Sequence, residues 1–288
     1  MYKNRASKLF DAVNAFGMVL LSILFLYPVI YIISLSLSDA SAIIEGRVLF
    51  LPVDVTTAAY QLLFRDNSIM NAFFFTVRIT VVGVLCSIMI TVIAAYPLSR
   101  KNVKGSGIIM RLIVFTMYFN GGIIPTYMVI RGMGLFDSMW ALIMPNLIDT
   151  FLLIIMINYF RGLPVELEEA AKADGCSNFR TFLQIFLPLA KPAVATLVVF
   201  YSVAYWNTFF NALLYIQDQK RLTLQVKLYQ VLSMFSDAMD PAAGVDASII
   251  PENLKGATVV LAVLPIVCVY PFMQRYFVKG VTVGAVKG

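Results

Sequence analysis

Not one histidine occurs among the 288 residues of this chain. Its absence removes the commonest metal ligand and the commonest general base. Cysteine is nearly as scarce: Cys86, Cys176 and Cys268 are widely spaced and odd in number, which argues against a disulfide framework or a zinc site. Charge is thin as well. Only 13% of residues are charged, whereas a water-soluble domain carries roughly a quarter. No G-x-x-x-x-G-K-[ST] phosphate cradle is present, and "KNVKGSG" around Lys104 is too short to be one. The net charge of +6 comes without any aromatic-plus-basic pattern for bases, so nucleic acid is not expected as a partner.

What the chain has is apolar length. Hydrophobic residues make up 60% of it and the mean hydropathy is +0.83, so the solvent it expects is lipid. A spanning helix needs about 20 mostly apolar residues. Six stretches qualify: Phe10–Leu37, Asn71–Leu98, Gly107–Ile130, Ser138–Phe160, Pro188–Ile216 and Gly256–Phe277. The first follows Lys3, Arg5 and Lys8, exceeds a signal-peptide core and lacks a small-residue cleavage site, so it reads as a retained span. With both termini on one side, that side holds 14 basic residues and the other 7, with Arg78 inside a span. The positive-inside rule then puts both termini in the cytoplasm. The expected fold is an all-α integral membrane protein, one permease-like domain over 1–288, with long outer loops at 38–70 and 217–255.

One segment does not fit a membrane. "VELEEAAKADGCSNFRTFLQIFLPLAKPA", Val165–Ala193, lies between spans four and five and faces the cytoplasm on this topology. Pro164 suits a first helical turn, and Glu166, Glu168 and Glu169 suit the positive end of a helix dipole. Glu168 and Lys172 stand i, i+4, and Gly175 is a stop, so a helix is predicted over Val165–Asp174. Its small face is expected to be Leu167, Ala170, Ala171 and Asp174. Ser177 can cap a second helix with the stripe Phe179, Phe182, Leu183 and Phe186, ended by Pro188. Two short helices over 164–187 therefore lie on the inner face, with the first free to dock a partner; an ordinary amphipathic connector is the alternative reading. Elsewhere, "FNGGIIP" sets Asn120, Gly121, Gly122 and Pro125 within span three, which predicts a packing kink.

The spacing Glu169-Ala170-Ala171, three residues, Gly175, nine residues, Ile185-x-Leu187-Pro188 resembles the EAA loop of binding-protein-dependent ABC importer permeases. "YWNTFFNALLYI" (Tyr205–Ile216), the ending "YPFMQRYFVKGVTVGAVKG" (Tyr270–Gly288) and Asn120–Pro145 are similar to the maltose-importer branch, nearest its alginate and aldouronate sub-branch. The resemblance implies a permease subunit, not an enzyme, that forms half of a pathway for oligosaccharide uptake across a bacterial cytoplasmic membrane. It implies a second, related permease, two ATP-binding subunits that hold the ATP and Mg, and an extracytoplasmic sugar-binding protein. This chain itself is expected to bind no cofactor and no metal. In that family the loop is a coupling helix seated in a groove of the ATPase. Glu169 is then expected to pair with a base there, Ala170 and Ala171 to fit the groove beside Asp174, and Gly175 to set the turn. The outer loop Gln217–Lys255 is expected to touch the binding protein and the tail Thr282–Gly288 to reach the ATPase. An ABC permease for another solute, or an ion-coupled secondary transporter, are the rival readings.

For the cargo, polar groups inside spans are the candidates: Arg78 on span two, Asn146 and Asp149 on span four, and Tyr205, Trp206, Asn207 and Asn211 on span five. Aromatic faces stack on sugar rings and amides bond hydroxyls, although such amides also bond helices to each other. Arg78 could pair with Asp149, snorkel outward, or attract the carboxylate of a uronate. In maltose-type relatives the membrane sugar site lies mostly on the partner permease. A secondary transporter would need mid-membrane acids or histidines, and Asp149 alone qualifies.

Overall fold

The computed structural model describes residues 5–65, 67–100, 103–119, 121–238 and 253–268. Among these residues all regular structure is helical. Two helices are long and apolar enough to cross a membrane by themselves: α1 (Arg5–Ser36), over Phe10–Ser36, and α4 (Asn67–Ser99). Between them lie the short α2 (Ala40–Ile44) and α3 (Ala58–Arg65), so the predicted outer loop is partly helical and ends as α4 begins.

Predicted spans three, four and five are broken rods. Span three becomes α5 (Ser106–Tyr118) and α6 (Ile123–Gly132), which meet at 115°. Gly122 between them has φ +88°, a conformation only glycine takes without cost, so the break is far sharper than a packing kink. Span four becomes α7 (Met139–Ile143) with a 3₁₀ turn (Met144–Asn146), then α8 (Thr150–Arg161) at 50°. The interruption follows as α9 (Glu166–Ala173), α10 (Asn178–Thr181), a π-helical turn (Phe182–Phe186) and α11 (Leu187–Leu189). Span five begins at Lys191 rather than Pro188, as α12 (Lys191–Trp206), and resumes as α13 (Phe210–Tyr215). The second outer loop contains α14 (Leu224–Ala238). Its remainder up to 252, the run beyond Cys268 and the tail Thr282–Gly288 fall outside the described residues, as does Asn120. The last described helix, α15, covers Asn253–Cys268.

By its contacts the chain divides into two units: residues 1–70 with 227–264, and residues 71–226 with 265–288. In the first, a serine cluster pins the outer loop to the end of α1. Ser34 donates to the Phe50 carbonyl at 2.8 Å, the Ser38 hydroxyl accepts from the Val53 amide at 3.0 Å, and the Tyr60 hydroxyl donates to Ser36 at 2.8 Å. Gly256 lets α15 lie against α1: a Cβ there would sit 2.8 Å from the Ser36 nitrogen.

The second unit holds a core running through α4, α7, α8, α12 and α13, with Phe160, Phe186, Leu197, Tyr201 and Tyr205 among its buried residues. Leu222 and Val226 join it, so the start of the second outer loop is anchored rather than loose. The Thr223 hydroxyl donates to the Thr208 carbonyl at 2.9 Å, and the Leu224 amide to the Thr76 hydroxyl at 2.8 Å.

Candidate functional site

Two places in the second unit gather the residues singled out above. The first is α9 with its turn. α9 ends in a complete Schellman motif: the Gly175 amide donates to the Lys172 carbonyl at 3.0 Å and the Cys176 amide to the Ala171 carbonyl at 2.9 Å. Gly175 has φ +75°, and the Ser177 hydroxyl caps α10 by accepting the Arg180 amide. Pro164 lies before the N-cap Val165, outside the helix.

The inner and outer faces of α9 differ from the predicted set. Ala171 is 3% exposed and Leu167 packs on the core, so these two anchor the helix. Outward lie Glu166, Glu169, Ala170, Ala173 and Asp174. At i, i+3, i+4 and i+7, the first four form one stripe of small residues and carboxylates. The Glu169 side chain has no hydrogen-bond or ion-pair partner among the described residues. Ile185 and Leu187 pack on the core while Pro188 is exposed, so the back half of the pattern holds the loop down rather than presenting it. The predicted stripe splits in the same way: Phe182 and Phe186 are buried, Phe179 and Leu183 exposed. The π turn, with more residues per turn, moves the intervening residues off the α-helical register.

Glu168 turns inward. Its Oε1 takes the Lys172 ammonium at 2.7 Å, as the spacing predicts, and that contact raises the lysine pKa above its ordinary value. Its Oε2 takes Arg100 Nη1 at 3.0 Å. The Arg100 guanidinium lies over the rings of Phe186, at 4.1 Å, and Tyr96, at 4.8 Å. Sequence reasoning counted Arg100 only as one more inner cation. A polar cavity of about 630 Å³, lined by Ser99, Arg100, Arg161, Glu168, Glu169 and Lys172 among others, adjoins this corner of α9.

The second place is a cavity of about 450 Å³ between α8, α12 and α13. It brings together five of the seven predicted pathway residues: Asn146, Asp149, Tyr205, Asn207 and Asn211. Trp206 is absent from it; buried against Phe73, it borders a separate, apolar cavity of about 400 Å³ with Val77 and Val199. Arg78 lines neither cavity and sits exposed on α4. The pairing of Arg78 with Asp149 is not formed, because the Asp149 carboxylate caps α8 by accepting the Leu152 amide at 2.9 Å. Asn146 donates to the Leu142 carbonyl at 3.2 Å within its own segment, whereas Asn207 donates to the Val203 carbonyl at 3.0 Å and also accepts the Gln225 side-chain amide of α14 at 3.5 Å, which ties two helices.

Tyr205 is a wall, not a stacking platform. It is 1% exposed, and Gly83 makes room for its ring, since a Cβ there would come within 2.7 Å of it. Its hydroxyl shares a 2.8 Å bond with Ser87 and lies 3.2 Å from the Asn146 carbonyl. Tyr201, one turn earlier and stacked on it, shares a 2.8 Å bond with Thr91 and accepts the Asp149 amide at 3.1 Å. The i, i+4 spacing of the two tyrosines was the available signal for Tyr201. The exposed rings at the cavity are Phe151, Phe200 and Phe210. Among the described residues its lining contains no cation.

Against known proteins, residues 87–283 match the family described as binding-protein-dependent transport system inner membrane component. Protein LplC of Bacillus subtilis (strain 168) is 40% identical, over 100% of this chain and 98% of its own length. The polygalacturonan/rhamnogalacturonan transport system permease protein YtcP of the same strain is 37% identical, over 98% of this chain and 99% of its own. Among solved structures, a chain of a bacterial ABC transporter involved in the import of the acidic polysaccharide alginate superposes with a TM-score of 0.86 at 32% identity, covering 96% of this chain and 99% of that one.

Proposed function

This chain belongs to the family of binding-protein-dependent transport system inner membrane components, and on that premise we propose that it forms half of the membrane pathway of a bacterial ABC importer for oligosaccharides. The fuel is spent elsewhere: ATP and Mg belong to two ATP-binding subunits. A second, related permease completes the pathway and an extracytoplasmic binding protein delivers the cargo. The chain crosses the cytoplasmic membrane six times with both termini inside. α9 docks on an ATP-binding subunit, and ATP-driven closure of those subunits displaces it, biasing the pathway between inward and outward access.

The observation that carries this reading is the outward stripe of Glu166, Glu169, Ala170 and Ala173 on a helix locked at its C-terminus by Gly175. Carboxylates without partners among the described residues, beside a close-approach alanine surface, suit a groove with basic walls. The ion-coupled alternative loses support because its one candidate acid, Asp149, is committed to capping α8. Co-purification tests the reading. Glu169→Lys is expected to strip the ATP-binding subunits from the purified complex and abolish uptake; subunits that stay bound with undiminished uptake would refute it.

The names of YtcP and of the alginate importer support a saccharide cargo, and both point to uronate polymers. The cavity wall of this chain offers amides and exposed phenylalanine rings, which suit sugar hydroxyls and sugar faces. Among the described residues its lining holds no cation for a carboxylate, which suits a countercharge supplied by the partner permease or the binding protein. Titrating the cognate binding protein with neutral and acidic trisaccharides decides the cargo class.

A further inference from the structure

The chain connects α9 to α8 on one side and, through the Gly175 turn and the π segment, to α12 on the other. Both connections run through the backbone, Gly162–Pro164 before the helix and the Gly175 turn after it. α4 has no such link, yet α4 holds the cavity wall. Its Ser87 and Thr91 bind the hydroxyls of Tyr205 and Tyr201 at 2.8 Å each.

Arg100 closes that gap. It follows the last residue of α4, and its guanidinium reaches Glu168 of α9 while lying over Phe186 of the π segment. The pair is shielded, with side chains 14% and 16% exposed, whereas Lys172, the other partner of Glu168, is 50% exposed. Arg100 Nε and Nη2 are buried without a hydrogen-bond partner among the described residues. Leaving two donors of a cation unmet is a poor way to gain stability. Clamping a flat guanidinium between rings and a carboxylate, however, fixes its geometry, and a fixed contact transmits displacement instead of absorbing it. Along α4 the distance from Arg100 is about 13 Å to Thr91 and about 20 Å to Ser87, at a rise of about 1.5 Å per residue. The chain of contacts Glu168, Arg100, α4, Ser87 and Thr91, Tyr205 and Tyr201 is continuous.

From this geometry we infer that Arg100 is a positioning residue through which displacement of α9 reaches α4 and the cavity wall. The inference rests on the reading of α9 as the helix that docks the ATP-binding subunit. It makes the Arg100–Glu168 pair a second joint, acting beside the covalent route into α12.

The test uses the whole transporter in nanodiscs, with Cys86, Cys176 and Cys268 replaced by serine and Ala204→Cys as a reporter on the cavity lining. The rate of labelling by an impermeant maleimide is measured without nucleotide and with Mg-ATP plus vanadate. If this reference lacks ATP-binding subunits or shows no nucleotide response, the docking reading falls and the inference with it. Given a response, Arg100→Gln and Glu168→Gln are each expected to shrink it by about fivefold or more while the ATP-binding subunits still co-purify. The double variant should be no worse than the worse single one, and Arg100→Lys should lie between, keeping the charge but not the flat stack. A full response in Arg100→Gln, additive losses in the double variant, or a loss seen only together with loss of the ATP-binding subunits would overturn it.

Discussion

At the scale of single residues, Gly83 is a space that a neighbour already fills, and Gly17 is not. A methyl at Gly83 would meet the Tyr205 ring at 2.7 to 2.8 Å, and the hydroxyl bonds of that ring prevent it from yielding. Gly83→Ala is expected to cost about 1–3 kcal/mol, the usual range for overpacking. Gly17→Ala, where nothing lies within 4 Å of the new methyl, should be neutral or slightly stabilising in a helix. Thermal unfolding of the purified complex separates the two. Asp137 makes a pH prediction. It sits at φ +55°, and its Oδ1 accepts the amides of Asp218 at 3.1 Å and Gln217 at 2.9 Å, tying the loop after α6 to the start of the second outer loop. Those bonds, with Asp218 first, lower its pKa from the ordinary 3.8. The lowered group adds stability above its unfolded pKa, and that stability fades as pH falls through the folded value. Asp137→Asn tolerates the left-handed backbone and keeps one acceptor, but cannot titrate. Its unfolding temperature should therefore fall less steeply than that of the native chain when the complex is acidified below about pH 4; equal slopes would remove this role for the carboxylate.

At the scale of elements, α9 and its turn were largely legible in the sequence, because capping and glycine chemistry are local. The helix start, the Glu168–Lys172 pair, the Gly175 stop and the Ser177 cap all follow from spacings of four residues or fewer. What failed was the assignment of faces. Ala171 went inward with Leu167 because the core beneath them, not the helix, decides which side is buried. The phenylalanine stripe failed because a π turn has no signature in a 3.6-residue pattern. Arg100 was invisible as a partner of Glu168, since 68 positions separate them. The turn itself gives a graded test. Gly175→Ala places a Cβ at φ +75° and should cost about 1–2 kcal/mol, whereas asparagine tolerates that region. Retention of the ATP-binding subunits on purification should therefore fall in the order Gly175, Gly175→Asn, Gly175→Ala.

At the scale of the whole molecule, composition pointed to lipid, and apolar runs found α1 and α4, the two helices long and apolar enough to cross a membrane, but not the breaks in the runs that follow. Apolar residues fill a straight rod and a bent pair equally well, so the breaks at 119–122 and 147–149 left no trace in hydropathy. Gly121, Gly122 and Pro125 marked the first break without giving its angle. Five of seven proposed pathway residues share one cavity because four of the five lie on two short stretches, 146–149 and 205–207; Trp206 fell away because helix rotation separates neighbours in sequence, and Arg78 because it sits exposed on α4. The measurement that tests the account most directly is cross-linking from α9 in the intact transporter. A benzophenone maleimide attached at Ala170→Cys, with the native cysteines replaced by serine, should capture an ATP-binding subunit on illumination, while the same probe at the buried position of Ala171→Cys should capture little or none. Capture of lipid alone from position 170, or equal capture from both positions, would contradict it.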